Sequence, residues 1–320
     1  MDEWGKGEGR KFGERHGKGR APEREWRLEQ RRGETVRHTA EMYDRFATEI
    51  ERAGKAARFF DAVPAAPAAA AGVVPEVSVV DQSCVSAILE QGRGLASACD
   101  LAVLDFASFT YPGGGYARGT MAQEESLCAE SFLYNVLKRF DGWYAENRRR
   151  NINCELYRDR ALVVPAVRFE RERYHSYADV IVAAAPNARR AVADYHVSAE
   201  ALERSLRSRV RLVMAIADTL GHGKLILGAF GCGVFGCDAH LVAEVFRSEL
   251  AEGSHVASQV TFAIPRGRAD ENLEIFEHAF VSFPERNEAP YVTREELAAR
   301  SVAEAPEPAD EDEDDWRKYL

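Results

Sequence analysis

Short apolar runs and longer helical repeats alternate along the middle of the chain. Apolar and β-branched runs of strand length predict strands at 77–80, 101–104, 161–169, 179–183, 224–228 and 260–264, with Pro165 interrupting the third. Between them, apolar residues recur every three or four positions, which predicts helices over 83–91, 123–139, 199–221 and 238–250. Strands that alternate with helices predict an α/β domain with a mixed sheet flanked by helices.

The stretch 101–139 combines a strand, a glycine loop, a carboxylate pair and a helix in that order. Three consecutive glycines, Gly113 to Gly115, lack Cβ atoms, so a ligand can approach the main chain closely. Their amides and the start of the following helix suit an anion. Glu124 and Glu125 stand at that helix start, where a carboxylic acid could protonate a glycosidic oxygen. The alternative is an ordinary turn before a helix whose dipole favours acidic residues in its first turn.

Two further loops follow predicted strands. Ala184–Asn187 comes after the strand at 179–183, and Gly231–Gly236 comes after the strand at 224–228. Ligands of open α/β sheets bind beyond the carboxyl ends of the strands. We therefore expect both loops to converge with the loop 113–123. Their glycines and helix starts suit a diphosphate, so an acidic protein could bind an anion without a basic patch.

These motifs together resemble one family. The triple glycine, seven further residues and then Gln123-Glu124-Glu125 are similar to the signature of the poly(ADP-ribose) glycohydrolases. The surrounding DFAS-x-x-x-PGGG and QEESLC, with AAAPN at 183–187 and LGAFGCGVFG at 227–236, resemble the microbial type. The resemblance covers roughly residues 73–283, in the family's order. It implies a macrodomain-like fold that binds ADP-ribose.

The resemblance also implies roles for individual residues. Glu125 would be the catalytic general acid/base, and Glu124 would hydrogen-bond the distal ribose hydroxyls. The loop from Gly231 to Phe235 would surround the diphosphate, and Phe235 would lie near the distal ribose. The implied substrate-binding residues are Asp105, Gly113, Gly114, Gly115, Gln123, Asn187, Gly231, Cys232, Gly233, Val234 and Phe235. A division of labour between the two carboxylates is physically sensible, because neighbouring helical side chains point about 100° apart.

Two positions depart from the microbial pattern, in which Asn stands where this chain has Asp105 and Asn stands where it has Tyr111. An ionised carboxylate cannot donate a hydrogen bond, whereas an Asn amide can. An extra negative charge should also weaken binding of an anionic ligand. We therefore predict that Asp105→Asn tightens ADP-ribose binding or raises turnover.

The predicted function is hydrolysis of ribosyl–ribose O-glycosidic bonds in poly(ADP-ribose), which releases ADP-ribose without a cofactor or metal. The alternatives are removal of single ADP-ribose groups from macromolecules and a non-catalytic reader that only binds ADP-ribose. The presence of both Glu124 and Glu125 favours an enzyme. The departure from the family pattern at Asp105 is the reason to retain the alternative of a protein that only binds ADP-ribose. The expected partners are ADP-ribose, poly(ADP-ribose) and ADP-ribosylated macromolecules.

Composition limits the kinds of binding partner and the cellular compartment that the sequence predicts. The formal net charge is −10, which argues against a general nucleic-acid binder, because phosphate attraction needs a basic surface. No apolar run reaches the length of a membrane span and the N-terminus lacks an apolar signal core, so we expect a cytoplasmic protein with no membrane partner. The six cysteines show no CxxC spacing, which favours buried free thiols over disulfides or zinc.

The ends of the chain differ in composition from its middle. Residues 1–27 are rich in glycine and in both charges, which predicts a disordered tail. Residues 28–72 predict a pair of helices lying on the domain and then a Pro/Ala linker, with a basic arm for an anionic polymer as the alternative. Residues 73–283 form the predicted catalytic domain. Residues 284–320 predict an acidic tail that is either solvated or partner-binding.

Overall fold

The computed structural model describes residues 20–65 and 74–303 of the chain. The first 19 residues of the predicted tail, the Pro/Ala linker from residue 66 onward and the acidic run from residue 304 lie outside the described residues. Within the described ranges, no helix is both long enough and apolar enough to cross a membrane.

A mixed sheet forms the centre of the described chain. Its strands are β1 (Arg58–Phe60), β2 (Glu76–Val80), β3 (Leu101–Phe106), β4 (Ala161–Arg171), β5 (Tyr174–Ala183), β6 (Lys224–Leu227) and β7 (Gln259–Ala263). They lie in the order β1-β4-β5-β3-β6-β7-β2. β4 runs antiparallel to β1 and β5, and the other neighbouring strands are parallel. The predicted mixed α/β class is confirmed, and each predicted strand is present.

Helices connect the strands, precede the first strand and follow the last one. They are α1 (Arg20–Ala56), α2 (Cys84–Gln91), α3 (Gln123–Ala129), α4 (Leu133–Leu137), α5 (Asp141–Arg150), α6 (Ala188–Tyr195), α7 (Ala199–Leu220), α8 (Ala239–Ala251), α9 (Asn272–Phe280) and α10 (Arg294–Ala303). Ser83, Ser198 and Asp238 cap α2, α7 and α8 through side-chain oxygens that accept from backbone N–H groups in the first turn. Polar residues just before apolar repeats therefore mark three of the helix starts correctly.

The sheet lies between two apolar cores because its central strands are buried on both faces. Leu101 and Val103 of β3 belong to the core beneath α1 to α4, whereas Ala102 and Leu104 belong to the core beneath α7, α8 and α9. Strands covered on both faces read as continuous apolar runs, which is why β3 and β5 stand out in the sequence.

The predicted helix over 123–139 is divided in two. α3 ends at Ala129 and α4 begins at Leu133, although Cys128, Phe132 and Val136 are all buried as the spacing predicted. Ser131 forms an isolated antiparallel bridge with a residue of β4, and its hydroxyl donates to the Leu127 carbonyl at 2.6 Å. These contacts are tertiary, so helical periodicity alone could not reveal the break.

The N-terminal helical segment packs beside the glycine loop. α1 has non-helical backbone angles at Phe46, so its two halves match the predicted pair of helices, but the helix ends at Ala56 and the next residues form strand β1 instead. Tyr116, directly after the triple glycine, contacts α1 through a 2.8 Å hydrogen bond between its hydroxyl and His38 Nδ1. α1 therefore contacts the glycine loop through Tyr116 and stabilises it.

The spacing of apolar residues did not predict α5, α6, α9 or α10. α5 shows why, because half of its residues are charged and it buries only Tyr144 and Asn147. Such a helix has no apolar stripe for the sequence to display.

Candidate active site

The loops after β3, β5 and β6 converge at the carboxyl edge of the sheet. A cleft of about 750 Å³ opens there, a volume typical of small-molecule sites. Its wall includes Phe106 and Gln123 near β3, Ala185 after β5, and Gly231 and Phe235 after β6. The three loops singled out in the sequence thus lie together.

Gln123 connects the start of α3 to the end of β3 through hydrogen bonds. Its Oε1 accepts a hydrogen bond from the Phe106 N–H at 2.8 Å, and its Nε2 donates to the Leu104 carbonyl at 2.9 Å. This pairing needs an acceptor and a donor on one planar group, which an amide has and an ionised carboxylate lacks. Gln123 therefore fixes the position of the two residues that follow it.

Glu124 and Glu125 are held by different parts of the loop after β3. Glu124 Oε2 accepts from the Ser108 N–H at 2.7 Å. Glu125 Oε1 accepts from the Gly115 N–H at 2.7 Å and from the Thr120 hydroxyl at 3.1 Å. Both side chains are buried. The hydrogen bonds of Glu125 within the described chain use only Oε1, so Oε2 is not engaged there.

Gly114 lies where the loop crosses the two carboxylates. Its φ is +58°, and a Cβ at this position would lie 2.6 Å from Glu124 Oε2 and 2.8 Å from Glu125 Oε1. Neither contact is possible without displacing a carboxylate. The neighbouring glycines are equally crowded: Gly113 against Tyr134, and Gly115 against Thr120.

Asp105 places a third carboxyl beside the pair. It is fully buried, and neither of its carboxyl oxygens has a hydrogen-bond partner among the described residues. Burial, reinforced by the charge of Glu125, raises the pKa of Asp105 well above its ordinary value. Burial and the proximity of Asp105 also raise the pKa of Glu124, although the Ser108 N–H opposes this shift. Asp105 therefore holds a proton more readily than an ordinary carboxyl does, and a protonated carboxyl can donate a hydrogen bond.

The loop after β6 packs directly on the loop after β5. Gly231 has φ +81°, and a Cβ there would lie 2.7 Å from the Cβ of Ala185. The Phe235 carbonyl accepts from the N–H of Arg189 in the first turn of α6 at 2.9 Å. A glycine at 231 therefore permits the close contact that shapes this side of the cleft.

Asn187 acts as the N-cap of α6 in this structure. Its side-chain oxygen accepts from the Arg190 N–H at 3.2 Å, and its own N–H donates to the Glu155 carbonyl at 2.8 Å. Contact of Asn187 with a ligand stays a prediction. Of the predicted site residues, Gln123, Gly231, Gly233, Val234 and Phe235 line the cleft, whereas Asp105, Gly113, Gly114, Gly115, Glu124, Glu125, Asn187 and Cys232 do not.

An aromatic cluster joins the loop after β3 to the loop after β6. Phe109 stacks on Tyr157 with ring centroids 4.5 Å apart, and Tyr157 contacts Phe235 edge-on at 6.1 Å. The sequence prediction overlooked Tyr157, although a lone aromatic residue in the mostly polar stretch 148–159 is a usable signal. The cluster positions Phe235, the residue expected near the distal ribose.

Arg209 of α7 is a second residue that the sequence prediction overlooked. Its guanidinium is fully buried, contacts Asp159 Oδ1 at 3.0 Å and donates to the carbonyl of Ala184. It thereby fixes the first residue of the loop after β5. The signal was a charged residue between Leu206 and Val210 on the apolar face of the predicted helix.

Comparison with known proteins agrees with this geometry. The family model described as microbial-type PARG, catalytic domain, matches residues 28–172. No curated protein sequence matches the chain.

Solved structures of bacterial enzymes are similar in fold. Poly(ADP-ribose) glycohydrolase from Thermomonospora curvata is 29% identical, with 78% of this chain and 98% of that chain covered and a TM-score of 0.67. Its complex with the inhibitor ADP-HPD is also 29% identical, covers 79% of this chain and 100% of that chain, and has a TM-score of 0.65. The Deinococcus radiodurans enzyme in complex with ADP-ribose is 30% identical, with 73% and 98% covered and a TM-score of 0.60.

The family-model match and the similar folds define the class of protein as a glycoside hydrolase. The chain belongs to the microbial-type poly(ADP-ribose) glycohydrolase family.

Proposed function

We propose that this protein hydrolyses ribosyl–ribose O-glycosidic bonds in poly(ADP-ribose) and releases ADP-ribose. The observation that carries the proposal is the attachment of Glu124 and Glu125 to main-chain N–H groups of the loop after β3, at the edge where the loop Gly231–Phe235 also lies. Family membership favours the same chemistry.

Glu125 is the general acid and base of the proposed reaction. Its carboxyl group transfers a proton to the leaving ribose oxygen as the glycosidic C–O bond breaks. A water oxygen then bonds to the anomeric carbon, and the proton that this water loses returns to Glu125. One water is consumed and Glu125 is regenerated. The diphosphate of the substrate steadies the cationic sugar centre, so a second flanking carboxylate is not required.

Glu124 binds rather than reacts in this proposal. Its Oε1 is buried and has no partner among the described residues, which suits an acceptor for the distal ribose hydroxyls. The glycines of the loop after β6 offer backbone N–H groups to the diphosphate. ADP-ribosylated macromolecules are the proposed partners.

The test compares two substrates with the purified full chain. Labelled poly(ADP-ribose) and a mono-ADP-ribosylated protein are incubated separately, and released ADP-ribose is quantified by chromatography. We expect release from the polymer. Release only from the mono-ADP-ribosylated protein would assign the chain to single-group removal, and ADP-ribose binding without release from either substrate would make it a reader.

A further inference from the structure

Three side chains with different donor atoms meet at the amino edge of the sheet, opposite the cleft. Cys99 lies two residues before β3, Asp179 lies within β5 in register with Ala102 of β3, and His222 lies two residues before β6. β5, β3 and β6 are adjacent parallel strands, and their register places Asp179 beside the amino ends of β3 and β6, so residues far apart in sequence come together.

The three donor atoms are close enough to share one ion. His222 Nε2 lies 3.0 Å from Asp179 Oδ2, and Cys99 Sγ lies 3.7 Å from Asp179 Oδ1. One ligand atom from each residue falls within 4.8 Å of the others. Zinc bond lengths of about 2.0–2.3 Å at tetrahedral angles give donor separations of about 3.3–3.6 Å. Small side-chain adjustments would therefore bring the three atoms onto one ion.

The backbone already orients the carboxylate. Asp179 Oδ1 accepts from the Ala166 N–H at 2.8 Å, at the bulge where β4 shifts its register against β5. Ala166 has φ +48°, an unusual conformation for a residue with a Cβ. This bond leaves Oδ2 directed at His222 and supplies the outer contact that ligating carboxylates commonly have.

The set of donors selects the class of ion. A thiol, an imidazole and a carboxylate together suit zinc and similar transition metals, whereas magnesium and calcium prefer oxygen alone. A nucleophilic thiol is a poorer explanation of the cluster, because the His222 imidazole contacts Asp179 rather than the thiol, and Asp179 Oδ1 beside the thiol already accepts from the Ala166 N–H.

We propose that Cys99 Sγ, Asp179 Oδ2 and His222 Nε2 bind one zinc-class divalent ion. Binding replaces the hydrogen bond between His222 and Asp179, moves the proton of the neutral imidazole from Nε2 to Nδ1 and releases the thiol proton to solvent. Water completes the coordination. The ion ties the residues just before β3 and β6 to the middle of β5, and so stabilises the side of the sheet opposite the cleft.

Cobalt(II) titration of the chelator-treated full chain tests the thiolate ligand. We expect one equivalent of cobalt to give a near-ultraviolet thiolate-to-metal band and visible bands of four-coordinate geometry, both removed by added zinc. Cys99→Ser should lose the near-ultraviolet band. The control Cys154→Ser, which alters an exposed cysteine, should keep it. An identical thiolate band in wild type and Cys99→Ser, or no band in folded wild type, overturns the proposal.

A thermal-shift measurement with zinc alone gives a second readout that does not depend on hydrolysis. Gln at position 222 can still donate to Asp179, so His222→Gln should remain folded by circular dichroism. We expect micromolar zinc to raise the Tm of wild type by several degrees and to leave the Tm of His222→Gln unchanged. Equal shifts in both proteins, or no shift in wild type, count against the site whether or not the chain hydrolyses poly(ADP-ribose).

Discussion

At the scale of single residues, Glu124 and Glu125 are neighbours that different backbone groups hold apart. Ser108 holds the first and Gly115 holds the second, seven residues further along the loop. Two carboxyl groups that are bound by different backbone N–H groups can have different orientations and different functions. A pair that shared one donor would have a single orientation. This separation supports the distinct roles proposed for binding and for proton transfer.

Glu125→Gln should separate these roles. Gln keeps the acceptor for the Gly115 N–H but has no carboxylic proton, so we expect kcat for poly(ADP-ribose) to fall by about 10²–10⁴-fold with ADP-ribose affinity unchanged or tighter.

Glu124→Gln loses a charge-assisted bond to ribose and should weaken both affinity and rate, by about tenfold or more. Turnover assays and calorimetry on both variants, beside the exposed control Glu90→Gln, provide the measurement. Wild-type turnover in Glu125→Gln would show that another group is the acid.

Asp105 provides a test based on pH. A carboxyl with a raised folded pKa holds its proton more tightly in the folded state, so its contribution to stability is present at low pH and is lost as pH rises from about 4 through the raised pKa. The side chain introduced by Asp105→Asn does not titrate, so the variant does not lose this stability as the pH rises. We expect the Tm of the variant relative to wild type to rise between about pH 4 and pH 8 in a thermal scan.

The exposed Asp44→Asn, on α1, is the matched control and should show no such trend. A flat difference for Asp105→Asn would mean that folding does not raise the pKa of Asp105. The same protein also tests the predicted gain in ADP-ribose affinity or turnover. Weaker binding by calorimetry would indicate that Asp105 accepts a bond from a ribose hydroxyl.

At the scale of elements, the loop after β3 and the first turn of α3 form one unit. Gln123 joins them through two hydrogen bonds to the end of β3, and Gly114 allows the loop to cross the carboxylates. Neither feature depends on the rest of the sheet. The unit therefore has a local sequence signature.

Gly114→Ala should disable this unit without unfolding the protein. The new methyl group would overlap both carboxylate oxygens, so we expect a loss of turnover of about 10²-fold, the typical cost of misplacing a catalytic group by about 1 Å. Gly142→Ala is the matched control because nothing lies within 4 Å of its added Cβ in helix α5. It should keep full activity and gain about 0.5–1 kcal/mol of stability. Normal turnover in Gly114→Ala would contradict the role given to the loop.

α7 supplies a test of the loop after β5. Arg209→Met leaves the buried Ala184 carbonyl and Asp159 Oδ1 without this donor, although Asp159 Oδ2 still accepts from the Ser208 hydroxyl, so we expect a loss of about 1–3 kcal/mol in the free energy of unfolding. Arg207→Met, on the same helix but with a 42% exposed side chain, should cost less than about 1 kcal/mol. Urea denaturation of both variants measures the difference. Similar losses would show that Arg209 contributes no more than a surface pair.

The elements also show which features a sequence can predict. β3 and β5 were found because burial on both faces gives an uninterrupted apolar run, and α7 and α8 were found because a polar cap precedes an apolar repeat. The break between α3 and α4 was missed because it depends on Ser131 bridging to β4, 38 positions later, at Phe169. Arg209 was missed because its partners lie in two distant loops, and only their folding together makes a buried arginine stable.

At the scale of the whole molecule, a protein with a net charge of −10 is expected to bind an anionic polymer. A nucleic-acid binder with 6–10 basic contacts to phosphates loses about 10³–10⁵-fold in affinity between about 0.05 and 0.2 M salt. Backbone N–H groups and helix starts release far fewer counterions. We therefore expect KM for poly(ADP-ribose) to change by less than about threefold over that range in steady-state assays. A steep rise in KM would reveal a basic surface that binds the polymer.

The pairing of β2 with β7 has a consequence for biosynthesis. The two strands join residues 76–80 to residues 259–263. A ribosome that adds about 5–20 residues per second leaves β2 without its partner for roughly 10–35 s. During that time β2 is an open strand edge, the kind of surface that pairs wrongly with other chains or requires a chaperone. The nascent chain therefore cannot complete its sheet until nearly the whole described sequence has been translated.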